Sequence, residues 1–272
     1  MGNPPAHRAK KRFGQNFLVD RNVIDRIVAS IDPAPCDHIV EIGPGLGALT
    51  RPLLAKLDRL DVVELDRDVI PKLEQMNNAD HLHIHNTDVL DFDFTQFSRA
   101  NFEGEKLRII GNLPYNISTA VLFHLIKHIN VIEDLHFMLQ KEVVERIDAR
   151  TGAHDYGRLS VMMQLHFKVK PLFTVAPQCF RPVPKVESAV LSLTPVGELP
   201  ITPEQQADFS ALIKQAFSQR RKTLKNTLRG LFDASQLKAA GIDPGKRAQE
   251  LSISEFIKLF RQGRKPSERL SS

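Results

Sequence analysis

Val23, Ile24, Ile27, Val28 and Ile31 recur at helical spacing, so residues 22–31 read as one amphipathic helix, which Pro33 and Pro35 end. Beyond it, short apolar runs at 38–42, 60–65, 82–85, 107–110 and 135–139 alternate with segments of helical character. Such alternation predicts an α/β fold, a parallel sheet with helices on both faces, because parallel strands must be joined by crossovers. Runs 168–175 and 189–193 are further strands, joined by a proline-rich connection at 177–184 that leaves no room for a helical crossover. The sheet is therefore expected to end in an antiparallel hairpin. After a linker over 194–203 the strand signal stops: Thr202 with Pro203 opens a helix, and Ser252 and Glu255 stand at capping-box spacing before Phe256, Ile257, Leu259 and Phe260. The expected organisation is an α/β domain over 1–198 and a small all-helical domain over 199–272.

Composition narrows the class. At 272 residues and 42% hydrophobic, the chain can build one large core and one small one. Two cysteines without a CxxC pair, and no secretory pattern at the start, argue for a reducing cytoplasm, and no run approaches the ~20 apolar residues that a membrane span needs. The net charge of +5 suits a polyanionic partner, and its distribution says more. Basic residues gather at His7, Arg8, Lys10, Lys11 and Arg12, and again at Arg220, Arg221, Lys222, Lys225 and Arg229. In a continuous helix Arg221, Lys225 and Arg229 share one face that phosphates can line, with Leu224, Leu228 and Leu231 turned inward. His81, His83 and His85 alternate along a strand, but no cysteine supports a site there and no metal is assigned.

The first apolar run passes directly into Gly43-Pro44-Gly45-Leu46-Gly47-Ala48 and then a helix, and Glu64 follows about 20 residues on, where a ribose-binding acid is expected. An ionised carboxylate accepts from both ribose hydroxyls. The loop alone fits a nicotinamide dinucleotide as well as S-adenosylmethionine. Asp88, after the next strand, can accept from an adenine amino group or cap a helix.

The fourth strand ends in Gly111-Asn112-Leu113-Pro114-Tyr115-Asn116, at the sheet edge where ligands of such folds sit. An adenine N6 amine is a poor nucleophile because its lone pair is delocalised into the ring. Two acceptors, the Asn112 side-chain oxygen and the Leu113 carbonyl, can localise that pair; Pro114 adds no competing donor, and Tyr115 supplies a stacking face. Positioning then carries the reaction without a strong base.

With these motifs, Arg12-Phe13-Gly14-Gln15-Asn16-Phe17-Leu18 and Phe180-Arg181-Pro182-Val183-Pro184-Lys185-Val186-Glu187-Ser188-Ala189-Val190, the chain resembles the bacterial small-subunit ribosomal RNA adenine dimethyltransferases over nearly its whole length. The resemblance implies a Rossmann-like S-adenosylmethionine-dependent methyltransferase fold. It also implies dimethylation of two adjacent adenosines near the 3′ end of that RNA, in the small (30S) subunit or its precursor, by a monomer. Asn16 and Leu18 would lie against the cofactor, Gly43 at its amino-acid end, Glu64 at the ribose and Asp88 at the adenine. Asn112 would sit between cofactor and target amine, and Phe180 would form a second aromatic wall opposite Tyr115. Lys10, Lys11 and Arg12 join the C-terminal basic residues as expected RNA contacts. The competing readings are a large-subunit enzyme of the macrolide-resistance type and a non-catalytic ribosome assembly factor. A DNA adenine methylase would begin its motif with Asp where Asn112 stands, and a dehydrogenase leaves 112–115 idle.

Overall fold

The computed structural model describes residues 16–263, and the chain forms two compact units. One comprises residues 16–144 with Val169–Pro195, the other Glu145–Lys168 with residues 196–263. The helical unit thus takes in residues 145–168, which a division at 198/199 leaves with the sheet. Helix Arg158–His166 explains why. Arg158 donates to Ser210 Oγ at 3.4 Å, the neighbouring Tyr156 ring meets Phe217 edge-on, and the His166 carbonyl accepts from Val196. All these partners are C-terminal. A helix that follows a strand reads as a sheet cover, and nothing in its own periodicity names the partner.

In chain order the strands are β1 (Phe17–Leu18), β2 (Ile39–Ile42), β3 (Leu60–Val63), β4 (Leu82–His85), β5 (Leu107–Asn112), β6 (Ile132–Gln140), β7 (Phe167–Val175), β8 (Phe180–Arg181) and β9 (Ser188–Pro195). Seven form one sheet in the order β4-β3-β2-β5-β6-β9-β7, and β1 pairs antiparallel with β8 in a separate ribbon. From β4 to β6 neighbouring strands are parallel, while β9 runs antiparallel to β6. Every residue of β2 and β3 is buried, as expected for strands covered on both faces. The last two strands are sheet neighbours, but the later one lies inside. Mostly buried β9 takes the inner position, and β7, with Lys168, Lys170 and Pro171, takes the edge, where charge and proline deter further pairing.

The first helix, Arg21–Ile31, starts where Asp20 Oδ1 accepts from Val23 N at 3.1 Å, a cap worth roughly 1 kcal/mol. It buries Val23, Ile27, Val28 and Ile31 in the core that also holds Leu18, Ile39, Leu60, Ile110 and Phe180.

The helical unit contains helices Gln206–Ala216, Leu224–Thr227, Ala234–Ala239 and Ile253–Gln262. Ser252 and Glu255 form the expected reciprocal cap, with Glu255 N donating to Ser252 Oγ at 3.2 Å and Ser252 N to Glu255 Oε2 at 2.7 Å. The basic segment does not form one helix. Turns over 217–222 break it, the four-residue helix at Leu224–Thr227 starts a new axis, and Arg221 has no common helical face with Lys225 and Arg229. Leu224 and Leu228 are buried, and Leu231 is half-buried. No helix among the described residues is long and apolar enough to cross a membrane.

Candidate active site

Strand β2 ends in the glycine loop, and Glu64 directly follows its neighbour β3. The two ends are tied: Gly43 N donates to the Val63 carbonyl at 2.9 Å and Gly45 N to Glu64 Oε2 at 3.2 Å. Gly45 sits at φ +54°, and a side chain there would come within 3.1 Å of the Phe17 ring, so both counts favour glycine. Glu64 Oε1 accepts from Asp66 N at 2.7 Å. Two amide bonds leave its carboxylate further lone pairs for hydroxyl donors. Burial raises the Glu64 pKa, opposed by the Asp66 and Gly45 amides.

Behind the loop lies Glu41, 2% exposed, whose Oε2 accepts from Thr50 Oγ1 at 2.7 Å. Burial pushes its pKa up to about 8; the Thr50 hydroxyl opposes the shift and the charge of Glu64 adds to it. Among the described residues no cation pairs with Glu41 or Glu64. In the sequence Glu41 reads as one more strand residue, although a carboxylate inside a fully buried strand is itself a signal.

Strand β5 brings the Asn112 turn against this loop. A Cβ at Gly111 would fall 2.5 Å from the Ile42 carbonyl oxygen, so only glycine lets the end of β5 lie so close to β2. Asn112 Nδ2 donates to the Asn16 carbonyl at 3.1 Å. A carbonyl only accepts, so the amide orientation is fixed and Oδ1 is turned away, accepting no hydrogen bond from the described residues. The Leu113 side chain is buried, and its carbonyl likewise receives no donor among them. The Tyr115 hydroxyl meets Ser188 Oγ at 2.8 Å. Asn16, Leu18, Gly43, Gly45, Glu41, Asn112 and Tyr115 all line one cavity of about 710 Å³.

Other expected residues lie elsewhere. Phe180 is fully buried in the core, paired through β8 with Leu18, so it offers no face to a base and is not a second wall in this structure. Its aromatic type alone does not separate core from site. Asp88 lies in the turn after β4, where its Oδ1 accepts from Leu90 N at 2.9 Å, and it is outside the cavity lining; Asp93, not Asp88, caps the following helix. Leu65 and Leu90, next to these carboxylates, are 48% and 37% exposed, and no motif in the sequence singles them out. The histidines disperse: His85 pairs with Asp61 at 2.8 Å, His81 reaches the Leu57 carbonyl, and His83 is exposed. Arg220, Arg221, Lys222, Lys225 and Arg229 are exposed and form no ion pair among the described residues. Lys10, Lys11 and Arg12 lie outside those residues.

A parallel sheet with one antiparallel strand inserted beside its edge, carrying a glycine loop and a facing Asn-Leu-Pro-Tyr turn, puts the protein among the S-adenosylmethionine-dependent methyltransferases. Within that class the chain belongs to the ribosomal RNA adenine dimethylase family, whose model matches residues 6–265. It is 50% identical over 254 residues to ribosomal RNA small subunit methyltransferase A of Hydrogenovibrio crunogenus, covering 93% of this chain and 96% of that protein. A dimethyladenosine transferase from Plasmodium falciparum superposes with a TM-score of 0.73 and 25% identity, covering 89% of this chain and 95% of that one. The 23S rRNA methyltransferase ErmE does so with a TM-score of 0.67 and 25% identity, covering 91% and 99%. The methyl donor is S-adenosylmethionine, and the residues fit it: a loop whose Gly43, Gly45 and Gly47 leave backbone open to a ligand, an acid able to accept from ribose hydroxyls, and buried carboxylates that no cation pairs among the described residues.

Proposed function

We propose that the protein transfers methyl groups from S-adenosylmethionine to the N6 amines of two adjacent adenosines near the 3′ end of small-subunit (16S) ribosomal RNA, giving N6,N6-dimethyladenosine. Its substrate is the small (30S) subunit or a precursor of it, met in the cytoplasm by a monomer. The bond from Asn112 to the Asn16 carbonyl carries this reading, because it aims an unused side-chain acceptor into a cavity bordered by the glycine loop.

Bound S-adenosylmethionine supplies an electrophilic methyl group. Glu64 accepts from the ribose hydroxyls, Asp88 from the cofactor's adenine amine, and Leu65 and Leu90 offer an apolar surface to that ring. Asn16, Leu18 and Gly43 border the amino-acid portion. Asn112 Oδ1 and the Leu113 carbonyl accept the two hydrogens of the target amine, drawing its lone pair out of conjugation and toward the methyl, while Tyr115 stacks on the extruded base. As the nitrogen becomes cationic its proton grows acidic and passes to water or to these acceptors. After the first transfer the amine keeps one hydrogen, so the second proceeds with one of the two acceptor bonds. Arg220, Arg221, Lys222, Lys225 and Arg229 contact phosphates, joined by Lys10, Lys11 and Arg12.

The test is incubation with labelled S-adenosylmethionine and unmodified small or large subunits, supplied separately, followed by nuclease digestion and mass spectrometry. Label as dimethyladenosine in the small subunit alone supports the reading; label confined to the large subunit favours the alternative suggested by the likeness to ErmE. Growth restored by a catalytically dead variant would instead assign the biological role to ribosome assembly.

A further inference from the structure

Tyr115 is anchored from outside its own turn. Its hydroxyl meets Ser188 Oγ at 2.8 Å across 73 residues of sequence, and Ser188 is fully buried as the first residue of β9. That end of β9 is held in turn: Ser188 stands opposite Gln140, Lys141 N donates to the Glu187 carbonyl at 3.0 Å, and Lys141 Nζ reaches Glu187 Oε2 at 2.8 Å. Burial raises the Tyr115 pKa, only partly offset by Ser188, so the phenol keeps its proton at neutral pH.

The first torsion of a tyrosine has three staggered wells and the second is broad, so the backbone alone fixes neither where the ring points nor its plane. A hydrogen bond at the far end of the ring pins the axis from Cβ to the hydroxyl, and because a phenol O–H prefers the ring plane, its direction also favours one plane about that axis. A stacking platform speeds methyl transfer only when its plane is set, since the target N6 must reach both the Asn112 oxygen and the Leu113 carbonyl. Phe180, buried in the core, does not face the base opposite Tyr115 in this structure.

We propose that Ser188 is a positioning residue whose hydroxyl fixes where the Tyr115 ring points and biases its plane, and so orients the target adenine for transfer. This rests on the reading of Tyr115 as the base platform. Ser188 itself touches no substrate; it acts through the phenol.

Ser188→Ala, Tyr115→Phe, the double variant and Tyr115→Ala test this, in single-turnover methylation over a range of RNA concentrations. The same RNA with 2-aminopurine at the target position reports base extrusion. Ser188→Ala and Tyr115→Phe should each weaken methylation and extrusion about 2- to 10-fold, as expected for one neutral hydrogen bond. The double variant should be no worse than either, because both remove the same bond. S-adenosylmethionine affinity by calorimetry should stay at the wild-type value. Losses that multiply in the double variant, a silent Ser188→Ala beside an impaired Tyr115→Phe, or a Ser188→Ala defect matched by weakened cofactor affinity would each overturn the proposal. Wild-type methylation by Tyr115→Ala would instead remove the platform reading on which it rests.

Discussion

Asn112 and Asn16, 96 residues apart, are joined by one hydrogen bond, from the Asn112 amide nitrogen to the Asn16 carbonyl at 3.1 Å. The bond selects one of two amide orientations and links the turn at the end of β5 to the Asn16–Val19 segment, which lines the same cavity. Asn112→Ala should lower the single-turnover rate by roughly 10²–10³-fold with folding intact, because the missing acceptor acts most strongly in the transition state. Asn112→Asp should in addition weaken cofactor binding, since a carboxylate facing the Asn16 carbonyl replaces attraction with repulsion. A near-wild-type rate for Asn112→Ala would show that Oδ1 does not activate the amine.

Glu64 closes the glycine loop, and in the proposed reading it also accepts from the ribose hydroxyls. Glu64→Ala strands the amides of Gly45 and Asp66, at about 1–3 kcal/mol for each that water does not reach. Both cofactor affinity and melting temperature should therefore fall, with RNA affinity preserved. Glu64→Gln retains one acceptor and should fall between. Calorimetry giving equal S-adenosylmethionine affinity for Glu64→Ala and wild type would take this residue out of the site.

The seven strands of the main sheet were legible as short apolar runs, most plainly the fully buried parallel β2 and β3, and the Gly43 loop and Asn112 turn because each joins special backbone residues to a strand end. The inner position of β9 was not, since pairing order depends on which edge tolerates Lys168, Lys170 and Pro171. The Arg221–Arg229 spacing suggested a continuous helix, yet Ser218, Gln219 and Arg220 can turn as readily as they coil, and periodicity does not say which. Phe180 fits core and site equally by type. Ser188 was invisible as an anchor because its partner lies 73 residues away.

The five exposed cations at 220–229 gain no partner among the described residues, so their charges are available to phosphate. Replacing Arg221, Lys225 and Arg229 together by Gln should weaken RNA binding and reduce the log–log salt slope by about 0.7 to 0.9 for every phosphate left without its cation. Broken helical continuity changes the form of the expectation: single replacements on either side of the turn should act independently rather than as one stripe. Cofactor affinity should be untouched. An unchanged slope in the triple variant would mean that these side chains are merely solvated.

Glu41 makes stability depend on pH in a direction unusual for a carboxylate. Its pKa rises from 4.5 to about 8 on folding, chiefly by burial, with the Thr50 hydroxyl stabilising the charge and Glu64 opposing it. A raised folded value means that the native state holds the proton more tightly. Its contribution is thus fully present below pH 4.5 and is lost as pH climbs to about 8. The loss across that window is on the order of 3–5 kcal/mol. Glu41→Gln keeps shape and hydrogen bonding without a titrating charge, so it should match wild type near pH 5 and exceed it increasingly toward pH 8 in urea unfolding. Retaining an acid here makes sense if its charge is used when a cation binds: S-adenosylmethionine carries a sulfonium that S-adenosylhomocysteine lacks. Calorimetry in two buffers of different ionisation enthalpy should then show wild type releasing a fraction of a proton on binding the methyl donor near pH 7. Glu41→Gln should release less and should discriminate less between donor and product. Parallel stability curves for the two proteins from pH 5 to 8 would mean that Glu41 is ionised in the fold, and proton release unchanged by the substitution would mean that another group responds to the donor.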